Sequence, residues 1–143
     1  MAKRRWTLLG DMAANAELKV NEGDTAPGFT APTNGGGEVS LSQFRGQAVV
    51  LYFYPKDNTP GCNKEACGFR DNHDAITAKN AVVLGVSADS AAKHDKFIEK
   101  FDLPFTLIAD EDKSICESYG VWGNKLFMGR TFLGIKRMTF LID

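Results

Sequence analysis

The sequence predicts an α/β domain in which helices pack on a central sheet. Two observations carry that prediction. Ala48-Val-Val-Leu-Tyr-Phe-Tyr54 and Ala81–Ser87 are apolar runs rich in β-branched and aromatic residues, without alternation. That is the pattern of strands buried on both faces. Segments with helical spacing separate the strands, so strand and helix alternate from residue 48 onward. The chain has 143 residues, a single-domain length. It is long enough to bury a core without disulfides or a structural metal.

The elements can be justified in order. Residues 1–16 read as a flexible tail, followed by one domain over 17–143. The tail begins basic and turns apolar, but the apolar stretch is too short for a signal-peptide core. Gly23-Asp-Thr-Ala-Pro27 marks a turn, and Gly28–Ala31 can form a short extended piece. Asn34-Gly-Gly-Gly37 predicts a hairpin into Glu38–Ser40. Leu41–Gly46 reads as one helical turn stopped by glycine. After the first buried strand comes the loop Pro55–Pro60 and a helix running to about Lys79. Thr59 stands at its N-cap and Pro60 at its first position, where the missing N–H costs nothing. Cys62, Ala66, Phe69, His73 and Ile76 form one stripe of that helix. A helix from Ser90 to Phe101, broken by Pro104, leads to a short strand at Phe105–Ala109. Asp112–Tyr119 reads as a short helix that Gly120 ends, and Asp110-Glu-Asp112 as a solvated turn at its start. Residues 121–135 read as irregular, and Met138–Ile142 as a final strand.

Charge and composition narrow the function. Lys and Arg number 17 against 18 Asp and Glu, so no bulk field favours nucleic acid or an anionic membrane. No apolar run outlasts Ala48–Tyr54, far short of the roughly 20 residues of a membrane-spanning helix. Three cysteines form an odd set with two of them close together, which fits a reducing, cytoplasmic setting better than a disulfide scaffold.

Chemistry concentrates at Cys62. The thiolate is the reactive form of cysteine, and a helix start favours the anion through its unpaired N–H groups and dipole. Cys67 lies five residues further on. In an intact helix that spacing gives a Cα separation of roughly 8.7 Å, whereas a disulfide needs about 4.4–6.8 Å. Pairing therefore requires the first turns to unwind. The spacings of Cys62, Cys67 and His73 match no standard zinc pattern, and His73 reads as a packed histidine. Cys116 reads as a packing thiol, with a backup resolving role as the alternative.

The segment Tyr54-Pro-Lys-Asp-Asn-Thr-Pro-Gly-Cys-Asn-Lys-Glu-Ala-Cys-Gly-Phe-Arg-Asp71 resembles the active-site segment of peroxiredoxins. The likeness is in particular to the bacterioferritin comigratory protein (PrxQ) subgroup, and it runs from about Gly23 to Asp143. The family pattern of Pro, three residues, Thr, two residues and Cys matches Pro55, Thr59 and Cys62. The subgroup's resolving cysteine matches Cys67, and an arginine before the last strand matches Arg137, with Arg130 as the rival position. The resemblance implies a thioredoxin-like fold with an N-terminal β-hairpin. It further implies a peroxidase acting on hydrogen peroxide and small organic hydroperoxides. Cys62 would form a sulfenic acid, Cys67 would resolve it, and thioredoxin or a similar dithiol would restore both. Thr59 would orient the peroxide, Arg137 would stabilise negative charge, and Pro55 would shape the loop. No cofactor or metal is implied, and the expected state is a monomer or weak homodimer.

The sequence departs from the subgroup at Asn63, where Thr or Ser is usual, and at Gly28, where the entry motif has Asp. Relatives also continue past Thr-Phe-Leu-Ile-Asp with a turn, another strand and a helix, whereas this sequence ends at Asp143. The expectation is a shortened domain with apolar sheet surface to cover. The competing functions are a thioredoxin-type oxidoreductase, which would carry Cys-x-x-Cys, and a catalytically impaired module acting in binding or self-assembly.

Overall fold

The computed structural model describes residues 6–9 and 25–143. In chain order the strands are β1 (Trp6–Leu9), β2 (Thr30–Pro32), β3 (Glu38–Ser40), β4 (Ala48–Phe53), β5 (Ala81–Ser87), β6 (Thr106–Ala109), β7 (Trp122–Phe127), β8 (Arg130–Ile135) and β9 (Met138–Ile142). The helices are α1 (Pro60–Asp71), α2 (His73–Ala78), α3 (Ala91–Phe101) and α4 (Ser114–Ser118). A five-stranded sheet runs β1-β9-β4-β5-β6. Strands β4, β5 and β6 are parallel, and β9 is antiparallel to β4.

Strand β4 shows why the apolar run lacks alternation. Val49, Leu51 and Phe53 point into one core with Phe140 and Tyr119. Val50, Tyr52 and Tyr54 point into a second core with Phe97, Leu107 and Ala66. Both faces of the strand are buried, so neither set of positions can be polar. Cys62 belongs to the second core, which sets the first turn of α1 against the sheet.

The predicted hairpin forms as β2 and β3, with Thr30 opposite Ser40. Gly35 and Gly36 both take positive φ in the turn between them, a conformation that glycine adopts freely. The following Leu41–Phe44 stretch is a single 3-10 turn, and Gly46 at φ 83° ends it.

Four expectations are corrected. Residues 6–9, read as part of a flexible tail, form an edge strand antiparallel to β9; the rest of the 1–16 segment lies outside the described residues. Strand β9 is thereby flanked by β1 and β4. The helix expected to reach Lys79 divides at Asn72, whose φ/ψ of −102°/5° is not helical. There the Asn72 side chain donates to Gly68 O at 2.8 Å, competing with the helical ladder. Residues 121–135 are not irregular: β7 and β8 form a regular antiparallel hairpin from Trp122–Ile135 to Phe127–Arg130. Met128 and Gly129, both at positive φ, make its turn. Asp110 is buried rather than solvated. Its carboxylate accepts from the backbone N–H groups of Ile115 and Cys116, satisfying donors at the start of α4.

Candidate active site

Strand β4 ends at Phe53, and the chain turns through 54–59 into α1. Thr59 is extended and Pro60 occupies the first turn of the helix. Thr59 makes no side-chain cap. Its hydroxyl instead donates to Lys56 O at 3.0 Å. The first helical turn is closed by the backbone N–H of Asn63 donating to Thr59 O at 2.7 Å. Cys62 follows in that turn and is buried at 2 % exposure. Pro55 and Thr59 are half-buried in the loop above it.

Arg137, just before β9, reaches this helix from the far end of the sequence. Its Nη2 donates to Cys62 Sγ at 3.1 Å, and its Nη1 donates to Glu65 Oε1 at 2.5 Å. Gly61 makes the approach possible, since a Cβ there would stand 3.3 Å from Arg137 Nη2. One guanidinium thus holds the sulfur on one arm and a carboxylate on the other, the fork that lysine cannot reproduce. Burial works against the Arg137 cation. The hydrogen bond to Cys62 and the negative charges of Glu65 and Cys62 outweigh it and push its pKa up. Burial pushes the Glu65 carboxyl above its usual range, with Arg137 opposing only in part. Because a guanidinium stays charged at any working pH, Glu65 is the member that titrates.

Cys67 sits half-buried in the same unbroken helix, and all three cysteines are free thiols. Cys116 is fully buried on the opposite face of the sheet. Burial, helped by Asp110, pushes its thiol far up, so it stays protonated. His73 packs half-buried with its ring 6.3 Å from that of Phe105. Arg130 is exposed beside the β7–β8 turn. Arg137 thus meets Cys62 directly, Thr59 precedes its helical turn and Pro55 lies earlier in the same loop, while Arg130 lies on β8 at the exposed β7–β8 turn.

The match to known families decides what this site belongs to. Residues 22–143 match the AhpC/TSA family. The chain is 52 % identical over 124 residues to Peroxiredoxin Bcp of Escherichia coli strain K12, covering 87 % of this chain and 80 % of that protein. The chain is a peroxiredoxin of the Bcp/PrxQ group. Peroxiredoxin Bcp of Bacillus subtilis is 46 % identical over 135 residues, covering 94 % of this chain and 78 % of its own. A cysteine-to-serine mutant of Xylella fastidiosa PrxQ superimposes with a TM-score of 0.76 at 33 % identity, over 99 % of this chain and 79 % of that one. Peroxiredoxin Q of Xanthomonas campestris gives 0.75 at 38 % identity, over 79 % and 72 %. The fold is thioredoxin-like, and the activity of this peroxiredoxin is that of a thiol peroxidase.

Sequence reasoning missed two parts of the site. Glu65 sits three positions after Cys62 on α1, so the spacing already placed both on one helical face. Lys125 on β7 was also missed. It donates to Ile135 O at 2.9 Å, two residues before Arg137, and so braces the backbone that carries the guanidinium. Burial and the Arg137 charge push its pKa down, while Cys62 opposes the shift. Among the described residues no helix is long and apolar enough to cross a membrane.

Proposed function

We propose that Cys62 is the thiol that peroxide oxidises, that Cys67 resolves it, and that a thioredoxin-type dithiol returns both to the reduced state. The observation that carries the reading is the 3.1 Å contact from Arg137 Nη2 to Cys62 Sγ at the start of α1. A cation and a helix start acting on one buried sulfur favour its anion.

The Cys62 thiolate attacks one peroxide oxygen. The S–O bond forms as the O–O bond breaks, and the second oxygen leaves as hydroxide or alkoxide and takes up a proton. The sulfur is oxidised to sulfenic acid. Arg137, already at the sulfur, lies where negative charge moves from sulfur to oxygen and stabilises it. The Thr59 hydroxyl has its hydrogen committed to Lys56 O. Its oxygen is left to accept the peroxide O–H and orient the substrate. Pro55 shapes the loop and has no N–H to offer water.

Resolution needs movement. Cys62 and Cys67 lie in one continuous helix, too far apart for a bond by about 2 Å or more. The turns between them unwind, the Cys67 sulfur attacks the Cys62 sulfur, and water is released as the disulfide forms. The reductant then opens that disulfide by thiol exchange and is itself oxidised. Hydrogen peroxide and small organic hydroperoxides are the proposed substrates, small enough to suit a sulfur whose residue is 2 % exposed. An odd set of three cysteines, too few for a disulfide scaffold, fits a reducing cytoplasm.

The test is intact-mass analysis of reduced protein after one equivalent of peroxide, with an alkylating trap. The expected result is loss of two thiols and a Cys62–Cys67 disulfide in the digest. Retention of all three thiols in the wild-type chain would reject the reading. Because the Cys62–Arg137–Glu65 arrangement is assembled, the active reading is favoured over a binding module.

A further inference from the structure

A second buried polar cluster lies on the other side of the loop that delivers α1. His94, on α3, is fully buried. Its Nε2 lies 2.9 Å from Ile108 O, and a carbonyl only accepts, so Nε2 carries a hydrogen. Its Nδ1 lies 2.6 Å from Asp57 Oδ2. The Tyr54 hydroxyl donates to the other oxygen, Asp57 Oδ1, at 2.6 Å. Burial first, and then the Asp57 charge, push the Tyr54 hydroxyl pKa well up, which keeps it a donor. The Asp57 backbone N–H donates to Asp89 Oδ2 at 2.8 Å, and the Ser87 hydroxyl donates to the same oxygen at 2.7 Å.

Every partner in this cluster is satisfied, as a buried polar network requires. Asp57 and Asp89 both line a cavity of about 240 Å³ that Lys56, Lys93, Lys96 and Lys100 surround, so positive side chains stand beside the two carboxylates. None of these groups touches Cys62 in the contacts above. All of them act on the segment 54–59.

The restraint passes along the chain in short steps. Asp57 is fixed through both its side chain and its backbone N–H. Its neighbour Lys56 holds the Thr59 hydroxyl through its carbonyl. On the other side, Asn58 sits at φ 57° and accepts from Lys100 Nζ at 3.0 Å. The loop is thus tied to α3 at both Asp57 and Asn58, and its next residues are Thr59 and the first turn of α1. A non-glycine residue at positive φ persists only where its surroundings hold it.

We propose that the Tyr54–Asp57–His94 network is a positioning device for the peroxide step, clamping the loop so that the Thr59 hydroxyl and the Cys62 turn keep their attacking geometry. These residues touch no reacting atom and act through Lys56, Thr59 and the helix start. The proposal rests on Cys62 being the attacking thiol. It further implies that the clamp holds only the near end of α1. Unwinding between Cys62 and Cys67 is then a separate event that losing the clamp does not hinder.

The experiment separates the two steps. In a Cys67→Ser background, sulfenic acid formation at Cys62 is timed by rapid mixing and trapping. In the full thiol set, the peroxide-independent phase of disulfide formation is timed at peroxide high enough that oxidation of Cys62 is complete first. His94→Asn is expected to slow the first step by about tenfold to a hundredfold, the scale of a misplaced reacting group. It leaves the second step as fast or faster. Tyr54→Phe removes one hydroxyl at unchanged shape and is expected to slow the first step by about threefold, a fraction of that same effect. A first step within about twofold of the parent in His94→Asn would overturn the proposal. So would equal slowing of both steps, which marks a general loss of packing. If His94→Asn does not fold, Tyr54→Phe decides alone, and an unchanged first step there rejects the clamp. If the Cys67→Ser parent itself is not oxidised at Cys62, the failure lies with the assignment of the thiol and not with the clamp.

Discussion

Replacing Arg137 with methionine removes the cation at Cys62 while keeping a long, flexible side chain. The size of the effect follows from the geometry. Two unit charges 3.1 Å apart, in a medium of effective dielectric near 20, attract by about 5 kcal/mol. Arg137 keeps 29 % of its side-chain exposure, so water screens part of that. A hydrogen bond to a charged group is worth about 1.5–3 kcal/mol net. Taking about 2 kcal/mol, the rate of Cys62 oxidation falls roughly thirtyfold. The assay follows thiol loss against peroxide concentration by rapid mixing, in parent and Arg137→Met. If Arg137→Met reacts with peroxide within about threefold of the parent, the contact does not stabilise the reacting charge. The guanidinium would then be only a packing feature.

Three further outcomes are expected. Because burial raises the Glu65 carboxyl above its ordinary value of 4.5, this group's contribution to stability is fully present below its unfolded pKa and is lost as pH rises through the folded one. Glu65→Gln escapes that loss, so its urea midpoint relative to the parent improves as pH is raised from below 4.5 to neutral. The Tyr52 hydroxyl is buried without a hydrogen-bond partner. Tyr52→Phe is therefore expected to raise stability by about 1 kcal/mol, read by thermal or urea unfolding. Cys116, buried and held protonated, is expected to be the last thiol alkylated in the native protein, and Cys116→Ala to leave the peroxide rate unchanged in a stopped-flow assay.

Strands β4 and β5 were legible because burial on both faces leaves short apolar runs, and their β-branched and aromatic residues mark them as strand rather than buried helix. The start of α1 was legible because Thr59, Pro60 and Cys62 each carry a local reason to be there. The β7–β8 hairpin was hidden by its turn. Met128 adopts positive φ, where Asn or Asp would have announced the bend. The break at Asn72 was hidden because it arises from one side-chain bond to Gly68, and asparagine sits inside many helices. Asp110 looked like solvent-facing charge, since adjacent acidic residues usually are. Its burial comes from the backbone donors of α4, which no residue count reveals. The link from Asp57 to His94 spans 37 residues. Sequence spacing says nothing about such a pair until the sheet has brought α3 beside the loop. On α3 itself, His94, Phe97 and Phe101 follow helical spacing, the one trace of it.

The place of β9 bears on how the molecule comes off the ribosome. Strand β9 lies between β1 and β4, near the middle of the sheet rather than at its rim. While residues 48–137 are already made, the β4 edge has no partner on that side. A row of N–H and C=O groups on the most apolar strand waits for Met138–Ile142. Such an open edge invites pairing with other chains. Because its natural partner is distant in sequence, closing the sheet is a slow, late event. Nascent chains halted before residue 138 should depend on chaperones and aggregate when released, and adding the five residues of β9 should restore cooperative folding.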